Sequence, residues 1–397
     1  MIHKSKNKKN KNFDILIVGA GPTGIAFACE FADTKLKVAI VDKLPRKMIA
    51  NPKIDGREIA LTHNSVKILK RINVWKHISN KSIAPIKEAR VLDGDSKYFL
   101  NFDHQEIQKE CLGYLIPNYI IKKNLYKQLK KISNVTLITE AECSSINTED
   151  QYASIKLSNG KKIQASLVVA ADSRFSKIRS KMGISTFTRD FNKNMIVCRM
   201  QHEKSHKNIA YEFFRYNQTQ ATLPYIKNQS GIVTTANKNL TADLMKMSNK
   251  AFNKEMESSF NNFFGKMKLV GKRYYYPMIT TYTKKFISDR FALLGDAAVG
   301  MHPVTAHGFN LGLKGIEILT KVIKDALKNK MNIGSIKVLN EYQFKLHREA
   351  APVYFATNSI VNLYTSNILP AKITRQLALR FVNTIKPVKE TFLNILK

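Results

Sequence analysis

The residues able to do chemistry fall into three ordered groups. The first is Gly19-Ala-Gly21-Pro-Thr-Gly24, set between the apolar run FDILIV at 13–18 and the stretch IAFACEFADT at 25–34. Glycines at the first, third and sixth positions permit a tight turn, a close approach of backbone to a pyrophosphate, and close packing of helix on strand. The helix N-terminus adds partial positive charge and free N–H groups for the anion. Asp42 ends the next apolar stretch, LKVAIVD at 36–42. Its carboxylate can accept from both ribose hydroxyls and would repel a 2′-phosphate, which points to FAD or NAD, not NADP, as the tightly held ligand. The second group is LVVAADSRFSKIR at 167–179, where an apolar strand runs into Asp172, with Ser176 and Arg179 following. The third is FALLGDAAVGMHPVTAHGFNLGLKG at 291–315. There Gly295-Asp296 ends a strand, and Asp296 can accept from a sugar-alcohol hydroxyl. The N–H groups around Gly308, Phe309 and Asn310 open a helix suited to negative charge developing on a ring nitrogen and carbonyl. His302 and His307 are the titratable groups of that loop. Either could take or give a proton near neutral pH, or simply bond the loop's own backbone.

These groups need elements to hold them. The first 42 residues read as strand, turn, buried helix, strand, lengths suited to a parallel sheet. Residues 193–275 carry alternating, strand-like pieces (MIVCRMQH, IAYEFFRY, SGIVTTAN, RYYYPM) that suggest an antiparallel sheet in a second domain. Residues 311–397 read as helical, with Ile316, Leu319, Val322, Ile323 and Leu327 on one stripe. A further stripe at 373, 377, 381 and 385 ends before Pro387.

Composition bounds the function classes. The 397 residues are 44% hydrophobic, which excludes wholesale disorder. Lys and Arg number 65 against 30 Asp and Glu, a formal charge of +35. A charge of that size invites a nucleic-acid reading. Fourteen arginines leave 51 lysines, and lysine in such excess, with abundant Asn and Ile, fits compositional drift over solvated faces. No zinc-finger, helix-turn-helix or RNA-binding pattern accompanies the charge, so no nucleic-acid partner is expected. The opening MIHKSKNKKNKN carries five lysines and no apolar core, unlike a secretory signal. The most apolar window, 13–32, contains Asp14, Glu30, Pro22 and three glycines and is rejected as a membrane span. Cys29, Cys111, Cys143 and Cys198 show no metal or redox spacing. Reduced thiols and a cytoplasmic location are expected, with no metal site.

The three motifs, in order and in register from about residue 13 to 390, resemble the fingerprints of class A FAD monooxygenases, which fold like para-hydroxybenzoate hydroxylase. Within that group the chain is similar to the ubiquinone-biosynthesis hydroxylases. Asp55-Gly-Arg57-Glu-Ile-Ala60-Leu61, Leu223-Pro224 and Tyr342 to Arg348 agree, and AADSRFS with GMHPVTAHGFN resembles the demethoxyubiquinol hydroxylase branch. The chain departs from the pattern at Ser173, where members usually have Gly, and at His307, where many have Gln.

The resemblance implies an α/β fold: a Rossmann-like FAD-binding domain, an inserted antiparallel-sheet substrate domain and a helical C-terminus. The expected division is a basic tail at 1–12, the FAD-binding domain at 13–75, 106–182 and 277–330, the substrate domain at 76–105 and 183–276, and a C-terminal helical segment at 331–397. By the same resemblance Gly19, Gly21 and Gly24 bind the FAD pyrophosphate, and Asp42 the adenosine ribose. Arg57 lies near the phosphates or ribityl chain. Asp172 and Arg179 serve FAD and NAD(P)H, Gly295-Asp296 the ribityl or phosphate oxygens, and Pro303, Gly308 and Asn310 line the isoalloxazine. With no second GxGxxG motif, NADH or NADPH is a transient co-substrate. Dioxygen supplies the oxygen atom delivered to an electron-rich ring, the site excluding water and aligning the substrate.

If the substrate is a polyprenylated phenol or quinol it resides in a bilayer. The five N-terminal lysines, and residues 371–397 with six basic residues and Glu390, would then meet an anionic membrane surface or a ubiquinone-biosynthesis complex. Alternatives on the same fold are hydroxylation of another aromatic compound, prenyl-chain reduction, and halogenation. The last is disfavoured because the chain has one tryptophan, Trp75.

Overall fold

A computed structural model describes residues 11–94, 98–215, 218–302 and 307–365. The strand Lys11–Val18 is the centre of the first sheet. Its Ile15, Leu16 and Ile17 are fully buried, each contributing roughly 1.5–3 kcal/mol by burial. The sheet runs in the order Ile287–Ser288, Phe291–Leu293, Lys162–Ala170, Lys11–Val18, Val38–Val41, Val135–Ile138. The inner pairs are parallel, as the apolar runs of both faces require. Gly24 through Cys29 of the helix Pro22–Cys29 are all buried, because the helix lies between the sheet and two further helices, Asn118–Leu129 and His307–Lys328.

Register brings the three motifs together. Val18 pairs with Ala170 on one side and Val41 on the other, and Ala170 pairs in turn with Leu293. Gly19, Ala171-Asp172 and Leu294-Gly295 therefore emerge side by side at the carboxyl ends of neighbouring parallel strands, the usual place for a ligand in such a sheet.

The second sheet has the order Val299–Gly300, Met267–Thr283, Thr186–His202, Gln229–Asn237, Gln218–Pro224, Ile209–Arg215, Glu88–Asp93, Phe99–Asp103. Every pair is antiparallel except Ile209–Arg215 with Glu88–Asp93. The strand Met267–Thr283 runs unbroken through residue 276, and its Thr281 and Tyr282 pair with Gly300 and Val299 just beyond the Gly295-Asp296 turn. A third, three-stranded sheet joins Glu58–Leu61, Gly113–Pro117 and Ala84–Ile86.

Of the expected helical stripe, Ile316, Leu319, Val322 and Ile323 are buried. Leu327 departs from the expectation and is 40% exposed, since the helix His307–Lys328 leaves the core in its last turn and Ala326 takes the inward place. The helix Ile336–Thr365 braces the site through Tyr342, whose hydroxyl donates to the Leu293 carbonyl at 2.6 Å. The stripe at 373–385, the segment 371–397 and the first ten residues lie outside the described residues. Among the described residues no helix is long and apolar enough to cross a membrane.

Candidate active site

The phosphate loop shows why its glycines are there. A Cβ on Gly24 would sit 2.0 Å from the Gly19 carbonyl oxygen, so the helix can lie this close to the strand only without one. Gly19 has φ +112 and abuts the Ala171 backbone. At Gly21 the space is open, with the Ala171 carbonyl oxygen 3.9 Å from the would-be Cβ. Gly21 is the N-cap of the helix and supplies no side-chain cap, and Pro22 occupies its first turn. The helix N–H groups are thus presented to whatever occupies that space. Asp42 secures the loop: one carboxylate oxygen accepts from Ala20 N–H at 2.6 Å and the other from Leu44 N–H at 2.8 Å. A carboxylate has further lone pairs for a ribose hydroxyl.

The second and third motifs are fastened to each other. The Arg174 guanidinium donates to Asp296 at 3.0 Å and to the Ile279 carbonyl at 2.5 Å. Arg179, 5% exposed, donates to the Ala297 carbonyl at 2.8 Å and the Arg174 carbonyl at 3.0 Å. It stands behind the site wall and holds both loops in place. Ser176 caps the short helix Lys177–Lys181 by accepting from Arg179 N–H. Asp172 projects at the surface of the loop. Desolvation by the surrounding walls lifts its carboxyl above the ordinary range, against hydrogen bonds from the Ser176 hydroxyl and nearby backbone N–H groups. Ser173 lacks the positive φ that would demand glycine, which explains why serine is accommodated there. Gly295 does need its φ of +61, and a Cβ would strike the Thr23 side chain at 2.8 Å, locking this turn onto the phosphate-loop helix.

One cavity of about 1040 Å³ connects these parts. Gly21, Arg57, Asp172, Asp296, Gly308 and Asn310 line it, together with His302 and His307. It continues onto an apolar face of the second sheet that includes Met195, Leu223, Val233 and Met278. Gly19, Gly24, Asp42, Arg179 and Gly295 support this wall without lining it. Pro303 lies outside the described residues. Arg57 is paired with Asp55 at 2.7 Å and lies 5.5 Å from the Tyr276 ring centroid. Asn310 braces more than it presents. Its side-chain oxygen accepts from Thr62 N–H at 3.1 Å and from the Ser65 hydroxyl at 2.6 Å, and its amide donates to the Ala60 carbonyl at 2.8 Å.

His302 is 3% exposed, edge-on to Phe191 at 5.0 Å. Burial, reinforced by Lys193, Arg174 and Arg189, pushes its imidazole down to about 3. It is therefore neutral at physiological pH and too weak a base for the proton transfer that its place in the loop suggests. Linkage gives a sign. Between pH 6.5 and 3 the unfolded chain binds a proton at this position and the folded chain does not, so stability falls as pH drops through that window. Replacing His302 by Phe will shrink the loss of unfolding free energy between pH 6.5 and 4.5 by on the order of 2 kcal/mol. Denaturant titrations at the two pH values measure it, and an unchanged difference refutes it.

A family model described as an FAD binding domain matches residues 12–351. The chain belongs to this FAD-binding family. It is 40% identical over 381 residues to the ubiquinone hydroxylase UbiM of Neisseria meningitidis, covering 95% of this chain and 83% of that protein. It is 30% identical to the ubiquinone hydroxylase UbiL of Rhodospirillum rubrum, covering 97% of this chain and 89% of the relative. Among solved structures, the p-nitrophenol 4-monooxygenase PnpA of Pseudomonas putida superposes with a TM-score of 0.78 at 15% identity, over 97% and 98% of the two chains. The fold is accordingly that of the para-hydroxybenzoate hydroxylase-like flavin monooxygenases.

The residues present fit FAD. The uncapped helix start and the open space at Gly21 suit a pyrophosphate, and the cavity beyond leads past Asp296 to the Gly308 helix start. Sequence reasoning missed Arg174, although it lies inside the second motif, because its importance comes from Asp296, 122 residues away. It also missed the half-buried Glu58–Arg199 pair, 2.5 Å apart, which ties the three-stranded sheet to the second sheet. All four cysteines are free, and Cys29, Cys111 and Cys198 are buried.

Proposed function

We infer that this protein is an FAD-dependent monooxygenase that uses NAD(P)H and dioxygen to hydroxylate the aromatic ring of a polyprenylated phenol or quinol in ubiquinone biosynthesis. The observation that carries this reading is the 40% identity to a ubiquinone hydroxylase across 95% of the chain. The cavity that joins the phosphate loop to an apolar sheet face agrees with it. Bound FAD supplies the redox chemistry that activates dioxygen; the protein binds, orients and excludes water.

In this reading the Gly19, Gly21 and Gly24 loop holds the pyrophosphate and Asp42 the adenosine ribose. Arg57 serves the phosphates or ribityl chain, and Asp172 the shared FAD and NAD(P)H surface. Arg174 and Arg179 position Asp296 and its turn, and Asp296 accepts from the ribityl chain. Gly308, with the helix start braced by Asn310, faces the isoalloxazine. Residues 13–75, 106–182 and 277–330 form the FAD-binding unit, and 76–105 with 183–276 the substrate unit. The basic stretches at 1–12 and 371–397 meet an anionic membrane surface from the cytoplasmic side.

The test delivers a farnesylated phenol in vesicles to purified, yellow protein with NADH or NADPH. The expected result is substrate-dependent oxygen uptake and a product one oxygen atom heavier, faster from anionic than from zwitterionic vesicles. Flavin-replete protein that leaves the phenol unchanged would overturn the assignment. Equal rates from both vesicle types would remove the membrane claim alone.

A further inference from the structure

The apolar side of the cavity holds one feature that flavin binding does not use. Residues of three neighbouring strands line it, among them Ala210, Glu212 and Phe214 on one, Thr219 and Ala221 on the next, and Val91 on the third. Glu212 stands in register with Ala221 on one side and Val91 on the other, so its flanking partners are both apolar. Among the described residues it is the only acid that the second sheet contributes to the cavity wall. Its carboxyl has no hydrogen-bond or ion-pair partner among them. The nearby Arg90 is held by Glu88 at 2.7 Å and lies over the Phe99 ring, so its charge is already answered. Phe214, the next residue on the same face, also lines a small pocket with His302, which links this region to the loop beside the Gly308 helix.

A polar group left unpaired in such a wall is costly unless a ligand completes it. Desolvation pushes the Glu212 carboxyl up to about 8, which keeps it protonated at neutral pH. A neutral carboxyl offers an O–H donor and a C=O acceptor side by side. That pair is complementary to an aromatic ring carrying two adjacent oxygen substituents, one a hydroxyl and the other an ether or carbonyl.

We propose that Glu212, placed in the cavity wall between Ala221 and Val91, is a specificity-determining residue that hydrogen-bonds two neighbouring ring oxygens of the substrate. The proposal rests on the hydroxylase reading above and adds which rings the site prefers. A ring with a single oxygen leaves half of the carboxyl unanswered and binds more weakly.

The experiment compares a farnesylated 2-methoxyphenol with the farnesylated phenol lacking the methoxy group, on the FAD-loaded full chain. Binding is read from the perturbation of flavin absorbance, and turnover from oxygen uptake and product mass. Wild-type protein is expected to bind the methoxyphenol about tenfold more tightly. Glu212→Gln, which keeps a donor and an acceptor, retains the preference. Glu212→Leu loses it while keeping normal flavin content, the methoxyphenol losing more affinity than the simple phenol. Undiminished preference in Glu212→Leu would overturn the assignment, as would Glu212→Gln behaving like Glu212→Leu. Wild-type protein that holds FAD and hydroxylates neither phenol would instead overturn the hydroxylase reading, and the Glu212 assignment with it.

Discussion

Gly24→Ala will destroy the packing of the phosphate loop, whereas Gly21→Ala will leave the fold intact and remove the flavin. The two glycines are three residues apart in one motif, but they meet different surroundings. A methyl group on Gly24 would lie 2.0 Å from the Gly19 carbonyl oxygen and 3.3 Å from the Ile17 side chain. The nearer obstacle is backbone, so the helix Pro22–Cys29 must lift off the strand Lys11–Val18, uncovering residues that are now fully buried. Overpacking a core costs about 1–3 kcal/mol even where side chains can yield, and a backbone collision belongs at or above that upper end. A methyl group on Gly21 meets the Ala171 carbonyl oxygen at 3.9 Å, an ordinary contact, and projects into the space for the pyrophosphate. Thermal unfolding of the flavin-free proteins should place Gly21→Ala within about 0.5 kcal/mol of wild type, as for a substitution away from the core, and Gly24→Ala far below. Visible absorbance near the flavin maximum should be lost in both. A flavin-replete Gly21→Ala would refute the proposed position of the pyrophosphate.

Asp296→Ala should purify with little or no yellow colour while remaining folded. The Asp296 side chain is 43% exposed, so its ion pair with Arg174 contributes little to stability, on the order of 0–1 kcal/mol. Arg174 would keep its bond to the Ile279 carbonyl. Towards FAD the carboxylate matters more. A hydrogen bond to a charged group is worth about 1.5–3 kcal/mol, which is a ten- to hundredfold rise in dissociation constant. Asp296→Asn keeps one acceptor and should lose less. Fluorescence titration of FAD into the flavin-free variants measures the series; wild-type affinity in Asp296→Ala would remove Asp296 from the cofactor site.

Much of this could be read without coordinates, and the reason is local. Glycine spacing, the alternation of apolar runs with turn residues, and an acid at a strand end all act within a few residues, so their meaning survives in one dimension. The helix stripe Ile316, Leu319, Val322, Ile323 was legible for the same reason. It erred at Leu327, where spacing cannot reveal that the core has ended. Arg179 and Asn310 stood out in the motifs, but the hydrogen bonds they make were not visible. Their donors and acceptors answer groups 118 and 250 residues away, and only strand register decides which groups those are.

The charge of +35 shows the same division. The sequence by itself established a dinucleotide turn, three ordered motifs and the absence of any nucleic-acid pattern, all carried by covalent spacing. Only the tertiary structure decided that Arg174 pairs with Asp296, that burial among cations keeps His302 neutral, and that Glu212 stands among apolar neighbours in the cavity wall. Those properties are set by desolvation and by distances across the fold, and neither exists until distant strands have paired.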